Sequence, residues 1–136
     1  MLTRRMFGAC ALCSAVGLVA TAVEAGQPPP FTRTIIKKSE FPGDRYATVL
    51  VEVAIAPNAL VPWHIHPGIE SAIITAGEGT LMVKGEADRV VKPGDGFQIP
   101  PFTPHSVQNG GKVTKVAITY VVEKDKPIAS PVPPPA

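Results

Sequence analysis

Short β-rich runs separated by turn residues fill the middle of this chain and leave few folds open to it. Pro, Gly, Asn and Asp stand between the runs, as in Pro42-Gly43-Asp44 and Pro93-Gly94-Asp95. No amphipathic helix pattern and no internal repeat interrupts this order. Many short strands in one domain predict an all-β protein, a double-sheet jelly-roll β-barrel. The nine predicted strands are Thr34 to Lys38, Tyr46 to Ile55, Val61 to His66, Ile69 to Thr75, Thr80 to Lys84, Arg89 to Val91, Gly96 to Ile99, His105 to Gln108 and Val113 to Val122.

The run from Tyr46 to Ile55 shows which side of the sheet is buried. Successive side chains of a strand point to opposite faces. One face of this run is wholly apolar, and we expect it to pack in the core. The mixed face is expected to meet solvent, and the alternative is that it borders a pocket. The apolar face consists of Val49, Val51, Val53 and Ile55.

The first 25 residues have the layout of a secretory signal. Arg4 and Arg5 precede an apolar run, and the small residues around Ala25 predict cleavage before Gly26. The stretch from Thr3 to Phe7 also resembles a twin-arginine signal, which bacteria use to export folded proteins. We therefore expect a periplasmic or secreted bacterial protein with no stable membrane anchor after cleavage. An uncleaved anchor is the alternative, because the apolar run approaches a membrane-spanning length.

Charge and cysteine content exclude several kinds of partner and site. Removal of Met1 to Ala25 leaves 11 of the 13 basic and 10 of the 11 acidic residues, a net charge near +1. Such a balance gives no electrostatic reason to bind nucleic acid or an anionic membrane. Both cysteines, Cys10 and Cys13, fall within the signal. The mature chain therefore has no disulfide, no thiolate ligand and no cysteine nucleophile.

The mature chain is long enough for one domain with one core. Residues 26–39 are predicted to form an N-terminal extension, residues 40–122 the barrel, and residues 123–136 a Pro-rich tail. Five of the 16 prolines lie between Pro127 and Pro135, which favours an extended, polyproline-like segment. A solvated tail is the preferred interpretation, and a proline-rich recognition ligand is the alternative.

All three histidines fall within one metal-ligand pattern. His64 and His66 stand two apart, so on a strand both point to the same face, about 6.5 Å apart along the chain. Glu70 follows the next turn and offers a carboxylate, and His105 offers a third imidazole from a strand that a closed sheet brings alongside. A single histidine is more often structural than a ligand. Three in register with a carboxylate predict a metal site.

Two longer segments carry these residues, PNALVPWHIHPGIESAIITAGEGTL from Pro57 and GDGFQIPPFTPHSVQN from Gly94. They resemble the two motifs of the cupin superfamily over roughly Glu40 to Val122. The first motif has Asn58 where the family has its opening Gly, and the second has Phe102 where the family has its middle Gly. Both departures fall at turn positions, and all four metal-ligand positions are filled. The resemblance implies a cupin jelly-roll barrel.

The resemblance also implies a function. We expect one divalent transition metal at His64, His66, Glu70 and His105, with Mn or Fe favoured and Ni, Zn, Co or Cu compatible with the same imidazole and carboxylate ligands. The expected activity is that of a metal-dependent, dioxygenase-like or decarboxylase-like enzyme acting on a small oxygenated molecule. The alternatives are a non-catalytic cupin that binds a sugar or organic acid, and a metal-dependent isomerase or lyase. Small cupins often pair, so a homodimer is expected.

Three further residues are predicted to line a substrate pocket. Gln98 and Tyr120 are large hydrogen-bonding side chains on presumed barrel strands, and Phe102 offers an apolar wall. Asn109, Ser106 or a nearby carbonyl is expected to fix the imidazole tautomers. Because every histidine is assigned to the metal, none remains as a general base, and no catalytic residue beyond the ligands is assigned.

Overall fold

The computed structural model describes residues 28–40, 43 and 45–136. The predicted signal, Met1 to Ala25, lies outside the described residues. Within the part of the chain that is described, no helix is long and apolar enough to cross a membrane.

Ten strands make up the described structure, and every strand pair is antiparallel. Nine of them correspond to the predicted strands, with ends that agree or differ by a few residues. The strands are β1 Phe31–Glu40, β2 Tyr46–Ile55, β3 Leu60–Ile65, β4 Gly68–Ala76, β5 Gly79–Val83, β6 Arg89–Val91, β7 Gly96–Ile99, β8 His105–Asn109, β9 Thr114–Glu123 and β10 Ser130–Pro131.

The strands form two five-stranded sheets. The first has the order β1-β2-β9-β4-β7, and the second has the order β10-β3-β8-β5-β6. Neighbours in the sheets are mostly distant in sequence, as a jelly roll requires. The all-β double-sheet fold predicted from the sequence is confirmed.

The core lies between the two sheets, and strand alternation places it there. In β2, the predicted apolar face is buried: Val49, Val51, Val53 and Ile55 are all nearly inaccessible to solvent. The central strand β9 alternates in the same way and turns Tyr120 inward, opposite Glu70 on β4. Both sheets therefore direct side chains into one shared interior.

Both ends of the described chain are more structured than the sequence predicted. β1 includes Phe31 and Arg33, which lie before the predicted strand, and it pairs with β2 along its length. At the other end, Ser130 and Pro131 pair with Ile65 and His64 of β3. The prediction of a solvated C-terminal tail is thus wrong for this stretch, because its backbone completes the edge of the second sheet.

Candidate metal centre

The four predicted ligands converge between the two sheets. Their ligand atoms all lie within 4.8 Å of one another. His64 on β3 stands directly opposite His105 on β8 in the second sheet, and Glu70 reaches the same point from β4 of the first sheet. His66, immediately after β3, closes the group. His66, Glu70 and His105 are buried, and His64 is half-buried.

Backbone carbonyl groups hold all three imidazole rings by the same nitrogen. Nδ1 lies 2.7 Å from the carbonyl oxygen of Pro62 in His64, 2.6 Å from that of Ile128 in His66, and 2.9 Å from that of Thr103 in His105. A carbonyl oxygen only accepts, so each Nδ1 must carry the proton and donate it. The proton-free nitrogen of a neutral ring is then Nε2, which is the form that binds metals.

The Nε2 atoms face Glu70 and have no ordinary hydrogen-bond partner. Nε2 of His66 lies 2.8 Å from Glu70 Oε2, and Nε2 of His105 lies 3.4 Å from the same oxygen. Both Nε2 atoms are buried and unsatisfied. A nitrogen lone pair facing a carboxylate at this distance is repulsive unless a positive charge stands there, either a ring proton or a metal ion. The donor set therefore fits a bound cation.

The electrostatics of the ligands favour the forms that bind metal. Burial alone would raise the pKa of Glu70, but the adjacent His105 and His66 imidazoles outweigh this effect and lower that pKa to about 2. Burial lowers the pKa of His64 to about 4, and the nearby His105 adds to the decrease. At neutral pH Glu70 is thus a carboxylate and His64 a neutral imidazole, so neither needs to lose a proton before it coordinates.

Three imidazole nitrogens and one carboxylate oxygen suit a divalent transition metal. Ca²⁺ and Mg²⁺ prefer shells made mostly of oxygen. Four protein ligands on an octahedral ion leave two positions for other molecules. The residues therefore fit a metal centre that has room for a substrate.

A partly open cavity adjoins the ligands. Most of its wall is aliphatic or aromatic. The ionisable side chains that line it are His64, Glu70, His105, Arg33 and Tyr120. A small ligand in this space meets the metal-binding group at one end and apolar wall on its sides.

A cupin domain model matches residues 51–122. That segment is more than half of the chain and includes all four predicted ligands, His64, His66, Glu70 and His105. The chain belongs to the cupin family. The resemblance noted in the two motifs is confirmed.

Solved cupin structures give the same answer for the fold. A cupin-like protein from Thermotoga maritima is 29% identical, with a TM-score of 0.54, over 62% of this chain and 64% of that one. A recombinant oxalate oxidase in complex with glycolate is 27% identical, with a TM-score of 0.50, over 54% of this chain and 41% of that one. This chain thus spans less than two thirds of each. An oxalate oxidase with a substrate analogue, glycolate, covers 90% of this chain at 23% identity and a TM-score of 0.61, which shows the shared fold alone. No curated protein matches the sequence.

Tyr120 is the predicted pocket residue that the structure places beside this cupin's ligands. Its ring lies 4.6 Å from the ring of His66, centroid to centroid, and it lines the cavity. Burial raises the pKa of the Tyr120 hydroxyl, and the negative charge of Glu70 raises it further, while Arg33 opposes the increase. In the metal-free protein Tyr120 therefore keeps its proton at neutral pH.

Gln98 and Phe102 are placed elsewhere. Gln98 is exposed on β7 and donates a 2.9 Å hydrogen bond to Ser71 Oγ on the neighbouring strand. Its neighbour Phe97 lines the cavity instead. Phe102 is 52% exposed, in the turn before β8. Neither Gln98 nor Phe102 lines the cavity, and a substrate contact by either stays a prediction.

Of the three predicted ways to orient the imidazoles, only the backbone carbonyls are used. Asn109 instead joins the strands: its amide donates to the carbonyl oxygens of Ile55, Ala56 and Lys112, and its oxygen accepts from Thr114. Ser106 donates to the carbonyl oxygen of Val61. Of the predicted alternatives, the nearby carbonyl is therefore the one observed, and the Asn109 and Ser106 side chains bond to backbone carbonyls and to Thr114 instead.

Arg33 is the cavity residue that the sequence analysis missed. It lies on β1, in the segment predicted as an N-terminal extension, and it lines the cavity together with the ligands. The available signal was the alternation of Phe31 and Arg33 with Thr32 and Thr34. That alternation is typical of a strand with one buried face.

Proposed function

We propose that this cupin is a metal-dependent enzyme that acts on a small oxygenated molecule by dioxygenase-like or decarboxylase-like chemistry. We further propose Mn or Fe as the favoured metal, with Ni, Zn, Co or Cu as the other candidates. The observation that carries the proposal is the pair of buried, unsatisfied Nε2 atoms of His66 and His105, turned toward Glu70 beside an open cavity. A divalent transition metal bound there supplies Lewis acidity and, for Mn or Fe, redox chemistry.

The chain's own residues prepare this chemistry in three ways. Backbone carbonyls hold the imidazoles in the ligating tautomer, so little reorganisation accompanies binding. The apolar wall keeps water away from the reacting molecule, which strengthens electrostatic interactions inside the cavity. Tyr120 offers a proton-bearing hydroxyl at the same end of the cavity as His66.

The cavity supports dioxygenase-like or decarboxylase-like chemistry over isomerase or lyase reactions that begin with proton abstraction from carbon. Proton abstraction from carbon needs a general base with a pKa near the working pH. Apart from the ligands, the ionisable side chains in the lining are Arg33, a cation, and Tyr120, whose pKa is raised. Among the described residues the cavity therefore offers no free base. The oxalate oxidase at 27% identity, which binds glycolate, fits the same reaction class.

The same observation supports a second candidate, a non-catalytic cupin that binds a sugar or an organic acid. A binding module needs the metal and the cavity but no base. The two candidates differ in turnover, because the enzyme converts its ligand to a product and the binding protein does not.

The test uses the full chain purified without a histidine tag. We expect about one divalent ion per chain by mass spectrometry, and oxygen uptake or carbon dioxide release with one of a panel of small organic acids, phenols and diketones. Glu70→Gln should weaken metal binding by more than about 100-fold, since it removes an anionic ligand. Glu52→Gln is the matched control, because Glu52 is exposed and pairs with Lys115. A stable wild-type protein that takes up no metal would overturn the proposal, and tight ligand binding without turnover would favour the second candidate.

We also propose that the protein is exported, with cleavage before Gly26, and that it forms a homodimer. The arginine pair and apolar run support export. Exposed aliphatic side chains on the outer face of the first sheet support pairing: Leu50, Ile69 and Ile73 are 40%, 42% and 46% exposed. Mass spectrometry of the protein from a periplasmic fraction tests cleavage, and light scattering after size-exclusion chromatography tests the dimer.

A further inference from the structure

Arg33 presents a positive charge to the interior of the barrel. It pairs in register with Val53, a buried core residue, so both side chains lie on the inward face of the first sheet. Its Nε atom is buried and has no hydrogen-bond partner. Arg33 as a whole is half-buried. An arginine that faces the core without a counter-charge is unusual, because even partial loss of water around an unpaired charge is unfavourable.

No carboxylate among the described residues neutralises Arg33. Its guanidinium carbon lies 5.9 Å from the centroid of the Phe31 ring and 5.7 Å from that of the Tyr120 ring. These rings attract a cation, and the Tyr120 side chain also accepts a hydrogen bond from Arg33, but neither residue carries a negative charge. Four other cations, by contrast, each form an ion pair with a glutamate: Arg45, Lys115, Lys124 and Lys126.

Arg33 also lines two adjoining spaces. It lines the cavity beside the metal ligands, and it lines a second, outer cleft that contains Trp63. His64 is common to both spaces. Arg33 therefore lies at the junction of the cavity and the outer cleft, close to the metal-binding end.

We propose that Arg33 binds the carboxylate of a small anionic substrate and so selects organic acids for this site. The proposal rests on the proposed function, whose substrate class it narrows. The planar guanidinium matches a carboxylate with two parallel hydrogen bonds, and the low-polarity wall strengthens them. A divalent ion with one carboxylate ligand leaves a net positive charge at the other end of the cavity. A short acid with an oxygen atom near its carboxylate satisfies both charges.

A purely structural role for Arg33 predicts different behaviour. If the stacking on Phe31 and Tyr120 were its purpose, removal of the charge would destabilise the protein and leave ligand affinity unchanged. If Arg33 serves an anion, removal of a charge without a counter-ion leaves the melting temperature unchanged or higher.

The experiment measures ligand affinity directly, with no need for turnover. Glycolate and its uncharged analogue glycolamide are titrated into the full chain at constant ionic strength. The readouts are calorimetry and the fluorescence of Trp63, the single tryptophan, which lines the outer cleft with Arg33. The wild type is compared with Arg33→Gln, Arg33→Lys and Lys37→Gln. Lys37 lies on the same strand but is exposed, so Lys37→Gln removes the same net charge away from the cavity.

We expect Arg33→Gln to weaken glycolate binding by about 10- to 100-fold, the loss typical of charge-assisted hydrogen bonds. Arg33→Lys should lose less, because it keeps the charge but not the planar fork, and Lys37→Gln should bind as the wild type does. Glycolamide should bind weakly to every variant. Equal affinities of wild type and Arg33→Gln, equal affinities for glycolate and glycolamide, or no binding of glycolate, oxalate or acetate by the wild type at millimolar concentration would each overturn the proposal.

Failure of this proposal is distinguishable from failure of the proposed function. Metal content and metal affinity of Arg33→Gln should equal those of the wild type, because Arg33 is not a ligand. If the protein bound no metal, the proposed function would fail, and the same titrations on the metal-free chain would still compare Arg33→Gln with the wild type. If metal bound and the acid affinities did not depend on Arg33, the metal centre would stand and the role of Arg33 would fall.

Discussion

Nδ1 of His66 lies 2.6 Å from the carbonyl oxygen of Ile128, 62 residues further along the chain. The C-terminal segment thus fixes the tautomer of a metal ligand. Two neighbouring contacts hold the segment in place: Ser130 pairs with Ile65 of β3, and the Val132 amide donates to the carbonyl oxygen of Trp63 at 3.0 Å.

Deletion of residues 127–136 should therefore weaken metal binding. Without the Ile128 carbonyl, His66 is free to carry its proton on Nε2 and to rotate, and loss of such an orienting partner costs about 10- to 100-fold in metal affinity. The affinity is measured by competition with a chelator. ¹⁵N NMR of the imidazoles of the metal-free protein reports the tautomer directly, and we expect a shift of the proton toward Nε2 in His66.

A shorter deletion is the control for this prediction. Removal of Pro134, Pro135 and Ala136 leaves Ile128, Ser130 and Val132 in place, so metal affinity should equal that of the full chain. Equal affinity in the longer deletion would show that the Ile128 carbonyl does not orient His66.

Gly68 is a position where any side chain should be severely destabilising. A Cβ atom built there would stand 1.9 Å from the carbonyl oxygen of Val121, because β4 and β9 approach closely at this point. The obstacle is backbone, which a side-chain rotation cannot relieve. We expect Gly68→Ala to lower the free energy of unfolding by about 3 kcal/mol or more, or to prevent folding. Chemical denaturation measures the change, and Gly111→Ala, which has open space around it, is the control.

The two departures from the cupin motifs both occur in backbone that favours glycine. Asn58, in place of the opening Gly of the first motif, has φ of 59°, and Phe102, in place of the middle Gly of the second, has φ of 56°. Asn adopts this left-handed region readily, whereas for a bulky residue it costs about 1–2 kcal/mol.

Phe102→Gly should therefore stabilise the protein. The relief of strain is partly offset by the greater freedom of Gly in the unfolded chain, so we expect a net gain of up to about 1 kcal/mol in the free energy of unfolding. Asn58→Gly should change the free energy of unfolding little, because Asn adopts the left-handed region with little strain. The Phe102 ring is exposed, and its centroid lies 5.8 Å from Lys126 Nζ. A loss of stability in Phe102→Gly would mean that the contacts of this ring stabilise the protein by more than the backbone strain at residue 102 destabilises it.

The sequence predicted the parts of this structure that depend on local alternation and spacing. The buried face of β2 follows from the alternation of its valines, and the metal ligands follow from two histidines on one strand with a carboxylate after the next turn. Gln98 was predicted to face the cavity, but it is exposed and its neighbour Phe97 lines the cavity instead. An error of one residue in the alternation of a strand assigns every side chain to the wrong face. The Ile128 carbonyl was beyond prediction, because every residue has a carbonyl group and only the tertiary fold selects one. The alternation around Arg33 indicates a strand with one buried face, but nothing local shows that this face meets the metal ligands.

The free energy of unfolding of the metal-free protein should decrease as the pH is lowered, in two steps that arise from His64 and Glu70. The pKa of His64 is about 4 in the folded protein, below its ordinary value of 6.5, so the unfolded chain binds more protons between these values. The unfolding free energy therefore decreases as pH falls from 6.5 to 4. The pKa of Glu70 is about 2, below its ordinary value of 4.5, so its contribution is present above pH 4.5 and is lost as pH falls toward 2.

Urea denaturation of the metal-free chain between pH 3 and 7.5 measures both steps, each with a slope of at most about 1.4 kcal/mol per pH unit. His64→Gln should flatten the step between pH 6.5 and 4, and Glu70→Gln should flatten the step below 4.5. Metal-loaded protein should be more stable throughout the upper range and should lose this advantage as protons displace the ion from the imidazoles. A wild-type free energy of unfolding that stayed constant between pH 4 and 6.5 would contradict the neutral state of the half-buried His64. It would also contradict the conclusion that His64 is already in its metal-binding form in the metal-free protein.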